Sequence, residues 1–141
     1  MRTISSPDLA GRLRLAIVRT ARRLRQEAGG GLSPSLTAAL STVERHGPIT
    51  PSEVAARERI QRPTVTRVLA RLEEQGLIER MADPRDGRSS LVTATKAGRE
   101  LLDELRTRKT AFLAARIEDL APEDRATLER AAQILEEMIE R

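Results

Sequence analysis

The chain has 141 residues, room for one core with an added packing layer but not for two independent cores. Apolar residues make up 39% and charged residues 33%, and Phe112 is the sole aromatic, so the pattern is that of a soluble helical protein with a Leu, Ile, Val and Ala core. The 25 basic and 21 acidic residues leave a net charge of +4, and the absence of cysteine excludes disulfides, thiolate metal sites and thiol-based redox sensing.

Leu9, Leu13, Ile17, Ala21 and Leu24 recur at spacings of three and four, which predicts an amphipathic helix from Asp8 to Ala28. Ahead of it, MRTISSPDLAGR lacks the apolar run of a signal peptide. No stretch elsewhere reaches the roughly 20 apolar residues that span a bilayer, so a cytoplasmic protein without a membrane partner is expected. Leu15 and Val18 lie off the helix's main stripe, and a helix with two apolar sides has two neighbours, here its own core and another chain. Gly29, Gly30 and Gly31 end it. A phosphate loop would need a strand before these glycines and Gly-Lys-Ser/Thr after them, so they read as a flexible stop.

A second helix, about residues 33–46, buries Leu36, Ala39, Leu40 and Val43 and stops at Gly47-Pro48. His46, the one histidine, suits the negative end of that helix, and no ligand cluster accompanies it for metal or proton chemistry. TPSE, residues 50–53, then sets Thr50 as N-cap, Pro51 as first helical residue and Glu53 as third. This is a capping box opening a short helix that buries Val54 and Ala55. The chain turns through ERIQR, with Ile60 as its apolar anchor.

The next helix begins near Arg62-Pro63, places Val65, Val68, Leu69 and Leu72 on one face and closes at Gly76. Its opposite face collects Pro63, Thr64, Arg67, Ala70 and Arg71, flanked by Arg62 and Thr66. Two such helices joined by a short turn form a helix-turn-helix. The second carries its arginines early and Glu73 and Glu74 at its end, the reverse of what its own dipole favours. Arg67 and Arg71 also repel each other at a four-residue spacing, at roughly a few tenths of a kcal/mol. Both penalties disappear if the first turns face phosphates, which marks Arg62, Pro63, Thr64, Thr66, Arg67 and Arg71 as candidates for DNA contact. A solvated charged face is the alternative, but it gives no reason for two threonines, poor helix formers, on an exposed surface.

LIERM and LVTAT are short strand-forming runs separated by DPRDGR, whose Asp86-Gly87 predicts a hairpin tip. A two-stranded ribbon is marginal alone and leans on the helices, so Arg85 and Arg88 are carried outward. There they can meet a narrow A·T-rich minor groove, with Arg88 the first candidate. Asp83 is expected to brace Arg85 and Asp86 to serve the turn. Beyond the hairpin, Thr95 caps a long helix bearing Leu101, Leu102, Leu105, Phe112, Leu113, Ile117 and Leu120. Pro122 starts another with Leu128, Ala131, Leu135, Met138 and Ile139. Helices this apolar exceed what a small lobe can cover, which points to self-association, together with the first helix, as a two-fold dimer.

From Thr50 through Gly98, TPSEVAARERIQRPTVTRVLARLEEQGLIERMADPRDGRSSLVTATKAG resembles the winged-helix core of the MarR family of bacterial transcriptional regulators. PTVTRVLARLEEQGLIER, the DPRDGR wing and LVTATKAGRELL, in that order and spacing, carry the resemblance, which extends more loosely over nearly the whole chain. It implies a mainly α fold with a small two-stranded β-wing. A single MarR-type domain then covers 1–141, with a winged helix-turn-helix lobe at 33–95 and dimerisation helices at 8–28 and 96–140. It further implies a homodimer reading a palindromic operator in double-stranded DNA, with Pro63, Thr64, Thr66 and Arg67 in the major groove and Arg88 in the minor groove. A small-molecule effector held between the dimerisation helices and the winged helix, and repression as the usual outcome, come with the same resemblance. Gln61 stands where the family more often has a small polar N-cap, which leaves the first residue of the recognition helix open.

No cofactor or metal is expected, and an enzyme lacks its parts: no nucleophile elbow, no metal-spaced cluster, one histidine. A dimeric interaction module that kept a winged helix without specific DNA binding is the remaining alternative. Arginines on both helix and wing argue against it.

Overall fold

A computed structural model describes residues 3–140. Its helices are α1 (Ser6–Ala28), α2 (Pro34–His46), α3 (Pro51–Glu58), α4 (Arg62–Glu74), α5 (Lys96–Glu118) and α6 (Pro122–Ile139), and its strands are β1 (Ile78–Asp83) and β2 (Asp86–Ala94). The fold is mainly α with a two-stranded antiparallel wing. The chain divides into two compact units, residues 28–107 and the paired segments 3–27 and 108–140. No described helix is long and apolar enough to cross a membrane.

The 28–107 unit holds the core. Ser33 caps α2 by accepting the Leu36 N–H at 3.2 Å, and the three-and-four spacing then turns Leu36, Ala39, Leu40 and Val43 inward. They join Val54 of α3, Leu69 and Leu72 of α4, Ile78 and Val92 of the ribbon and Leu102 of α5 in one cluster. Each fully buried aliphatic chain contributes about 1.5–3 kcal/mol relative to exposure, so this cluster is where the lobe's stability resides. Polar ties join the same elements: the Thr42 hydroxyl donates to the Glu58 carboxylate, and Arg106 of α5 donates to Glu44 at 3.0 Å and Ser41 at 3.1 Å.

Gly76 adopts φ +72° after α4, the left-handed conformation that reverses the chain, and the Leu77 N–H closes back on the Leu72 carbonyl at 3.0 Å. In the ribbon, Ile78 pairs with Ala94, Arg80 with Val92 and Ala82 with Ser90. Ile49 adds two backbone bonds to Val92, at 2.8 and 3.1 Å, sewing the segment before α3 onto β2. Thr95 accepts the Gly98 N–H at 3.1 Å at the start of α5, and its hydroxyl donates to the Gly76 carbonyl. Gly98 packs so closely that a Cβ there would press on the Leu77 carbonyl.

Two local expectations are corrected. The hairpin turns at Pro84 and Arg85, and Asp86-Gly87 instead opens β2 after an irregularity between Ala82 and Asp83. Pro84 presets its own φ for the turn, and Asp83 Oδ1 accepts the Arg85 N–H at 2.9 Å. Gly87 is left without the positive φ that a primed Asp-Gly turn would demand. Ile60, expected as an anchor, is 38% exposed. Arg59 makes that turn instead, in the left-handed region at φ 53°, with its N–H directed to the Ala55 and Ala56 carbonyls.

In the second unit, no described residue is buried. Leu9 and Leu13 of α1 border an apolar groove with Ile134, Leu135 and Met138 of α6. Leu15, Ile17 and Val18 are exposed as well. Phe112 lies near two guanidinium groups, with Arg23 Cζ 5.5 Å and Arg116 Cζ 4.9 Å from its ring centre.

Candidate nucleic-acid interface

The helix-turn-helix is assembled by its caps. Thr50 Oγ1 accepts the Glu53 N–H at 3.1 Å while Glu53 reaches back to the Thr50 N–H at 3.4 Å, and Pro51 fills the first helical position. After the Arg59 turn, Gln61 is the N-cap of α4 but makes no side-chain cap, and Pro63 sits in the first turn where no N–H is needed. Val65, Val68, Leu69 and Leu72 are buried, which turns Arg62, Pro63, Thr66, Arg67 and Arg71 outward, with Thr64 half-buried.

The outward side chains differ in what they already hold. Arg62 Nη1 donates to Ser52 Oγ of α3, so its guanidinium is partly fixed. The Thr66 hydroxyl donates to the Arg62 carbonyl at 3.0 Å, which leaves only its lone pairs for a partner. Arg67 and Arg71 make no side-chain hydrogen bond or ion pair among the described residues, and with Thr64 they border a concavity completed by Ser33 and Ser35 at the start of α2.

The wing is braced from within. Asp83 is buried, and its Oδ1 accepts both the Arg85 N–H and, at 3.4 Å, Arg85 Nε, while the Arg85 side chain stays 75% exposed. Asp86 Oδ1 accepts the Arg88 N–H at 3.0 Å, leaving the Arg88 guanidinium without a protein partner among the described residues. Arg88 borders a second concavity with Arg62 and Thr66, so helix and wing share one basic cleft. Arg85 stands apart from both concavities, at the turn.

Sequence reasoning missed Arg80, which lies in the same cleft as Arg62 and Arg88 and pairs with Glu73 of α4 at 2.6 Å. It also missed Ser52, Ser90 and the two serines opening α2. Strand alternation was the available signal for Arg80. His46 Nε2 lies 3.3 Å from Arg57 Nη1, and among the described residues no group of three or more His, Cys, Asp or Glu could hold a metal.

A helix-turn-helix whose second helix shows free arginines, followed by a ribbon bearing another, defines the winged-helix class of DNA-binding proteins. The MarR family profile matches residues 32–90. Over 96% of both chains the protein is 36% identical to an uncharacterized HTH-type transcriptional regulator of Mycobacterium leprae. It superposes on the crystal structure of a transcriptional regulator from Pseudomonas aeruginosa with a TM-score of 0.87 and 32% identity, covering 99% of each chain. An S. aureus MepR mutant bound to an oligodeoxyribonucleotide shares the fold, at TM-score 0.71 and 17% identity over 93% of this chain and 97% of that one. The chain belongs to the MarR family and is a DNA-binding transcriptional regulator.

Proposed function

We propose that the protein is a sequence-specific repressor that binds a palindromic operator as a homodimer. Each α4 enters a major groove and each wing an adjacent minor groove. The observation that carries this reading is the row of unpartnered guanidiniums at Arg67 and Arg71 on the outer face of α4, with Arg88 free on the wing. Charges held without protein partners beside exposed Thr66 and half-buried Thr64 are disposed for phosphate and base edges, and the oligonucleotide bound to MepR lends support by analogy of fold.

The steps follow from chemistry. Arginines displace counterions from the backbone, Arg67 with Thr64 and Thr66 reads base edges, and Arg85 and Arg88 read groove width. Asp83 and Asp86 hold the wing for that task. The exposed apolar faces of α1 and α6 supply the surface for dimerisation, which sets two recognition helices roughly 34 Å apart. A small-molecule effector would release DNA by changing that spacing.

Binding-site selection from random duplexes tests the reading: a palindrome with half-sites one helical turn apart is expected. Arg67→Ala should relax one operator position and cost roughly 1–3 kcal/mol there, whereas equal losses on every sequence would reassign Arg67 to phosphate. Failure to bind any duplex at low salt would reject the whole proposal.

A further inference from the structure

We infer that Glu73, Arg80 and Ser90 form a bridge that aims the wing. Glu73 and Arg80 are then positioning residues for flank selectivity, an inference that rests on the reading of Arg88 as the flank-reading side chain. Arg80 Nε donates to Glu73 Oε2 at 2.6 Å, and its Nη1 donates to Ser90 Oγ at 3.5 Å. One guanidinium thus joins the last turn of α4 to both strands. Arg80 pairs across the ribbon with Val92, so Ser90, two residues along, is its diagonal neighbour.

Stability is a poor explanation of this bridge. The Arg80 and Glu73 side chains are 33% and 46% exposed, and ion pairs at such sites contribute little. Glu73 also lies near the C-terminal end of α4, where the helix dipole disfavours an anion. Geometry explains it better. The ribbon's root is held by Ile78 and Val92 in the core, and the tip's hydrogen bonds are internal, from Asp83 to Arg85 and from Asp86 to Arg88. Between root and tip, Arg80 carries the side-chain bond from the ribbon to α4, and it borders the cleft that contains Arg88. Loss of the bridge frees the ribbon to swing on its root, so Arg88 no longer arrives at a fixed depth in the groove.

The competing role for Arg80 is a direct phosphate contact, and Glu73→Gln separates the two. That change removes a negative charge beside a polyanion, so overall affinity should hold or rise, while bridging predicts that selectivity falls. Binding is measured on two duplexes sharing the selected operator core but carrying A·T or G·C flanks. The wild type is expected to prefer A·T flanks, and Arg88→Ala should bring the ratio near one. Glu73→Gln, Arg80→Ala and Arg80→Lys should each do likewise, and Glu73→Gln combined with Arg88→Ala should lose nothing more. A wild-type ratio in Glu73→Gln, when Arg88→Ala has lost it, overturns the bridge alone. An unchanged ratio in Arg80→Ala with a salt slope shallower by about one makes Arg80 a phosphate ligand and also overturns it. No flank preference in the wild type, or an intact one in Arg88→Ala, overturns the wing reading and the bridge together.

Discussion

Residues 28–107 leave no accessible surface on Leu40, Val54, Leu69, Leu72 and Val92, whereas segments 3–27 and 108–140 bury no described residue and leave Ile17 half exposed. The first unit takes its stability from its own chain. The second has amphipathic helices without a completed core, so its apolar faces require another surface. The two should therefore answer to different variables, the first to denaturant and the second to protein concentration as well.

The contrast is sharpest at the core. Leu69→Ala should cost about 2–5 kcal/mol, read as a lower urea midpoint for residues 28–107 that is the same at every protein concentration. Ile17→Glu should weaken dimerisation by about 1.5–3 kcal/mol per protomer, seen in sedimentation equilibrium, while amide protection in residues 28–107 persists. A wild-type dimer in this variant would remove that face of α1 from the contact. Thr50→Ala breaks the capping box and should cost about 1 kcal/mol, again without concentration dependence, in the same urea titration. Smallest is Phe112→Leu, which deletes the ring beside Arg23 and Arg116. It should lower the thermal midpoint by the equivalent of about 0.5–1 kcal/mol, evident over a dilution series of the second unit's transition.

The periodic parts of this molecule are readable from its residues, and the pairings are not. Val65, Val68, Leu69 and Leu72 declare the inner face of α4 because helix geometry repeats every three to four residues. Thr50 and Glu53 declare a helix start because both halves of the capping box are local. The same spacing places Arg67 and Arg71 outward. The hairpin tip was misread because Asp-Gly is a strong turn signal in isolation, yet Pro84 and the buried Asp83 carboxylate favoured the turn two residues earlier. Arg80 was only half legible, for a different reason: alternation along a strand assigns its side chain to a face without saying that Glu73 lies across from it. Exposure of α1 and α6 was legible in sum, since helices this apolar exceed what a small lobe can cover, but a single apolar stripe looks the same whether its own chain or another covers it.

The Thr66 hydroxyl spends its proton on the Arg62 carbonyl. Presented to a base pair, it therefore acts as an acceptor with a methyl beside it, suited to the amino groups of adenine N6 and cytosine N4 or to the thymine methyl, and it has nothing to donate to guanine O6. Operators recovered for this protein should accordingly be depleted of guanine at the one base beneath Thr66 on the strand that Thr66 faces, even where the neighbouring Arg67 favours it.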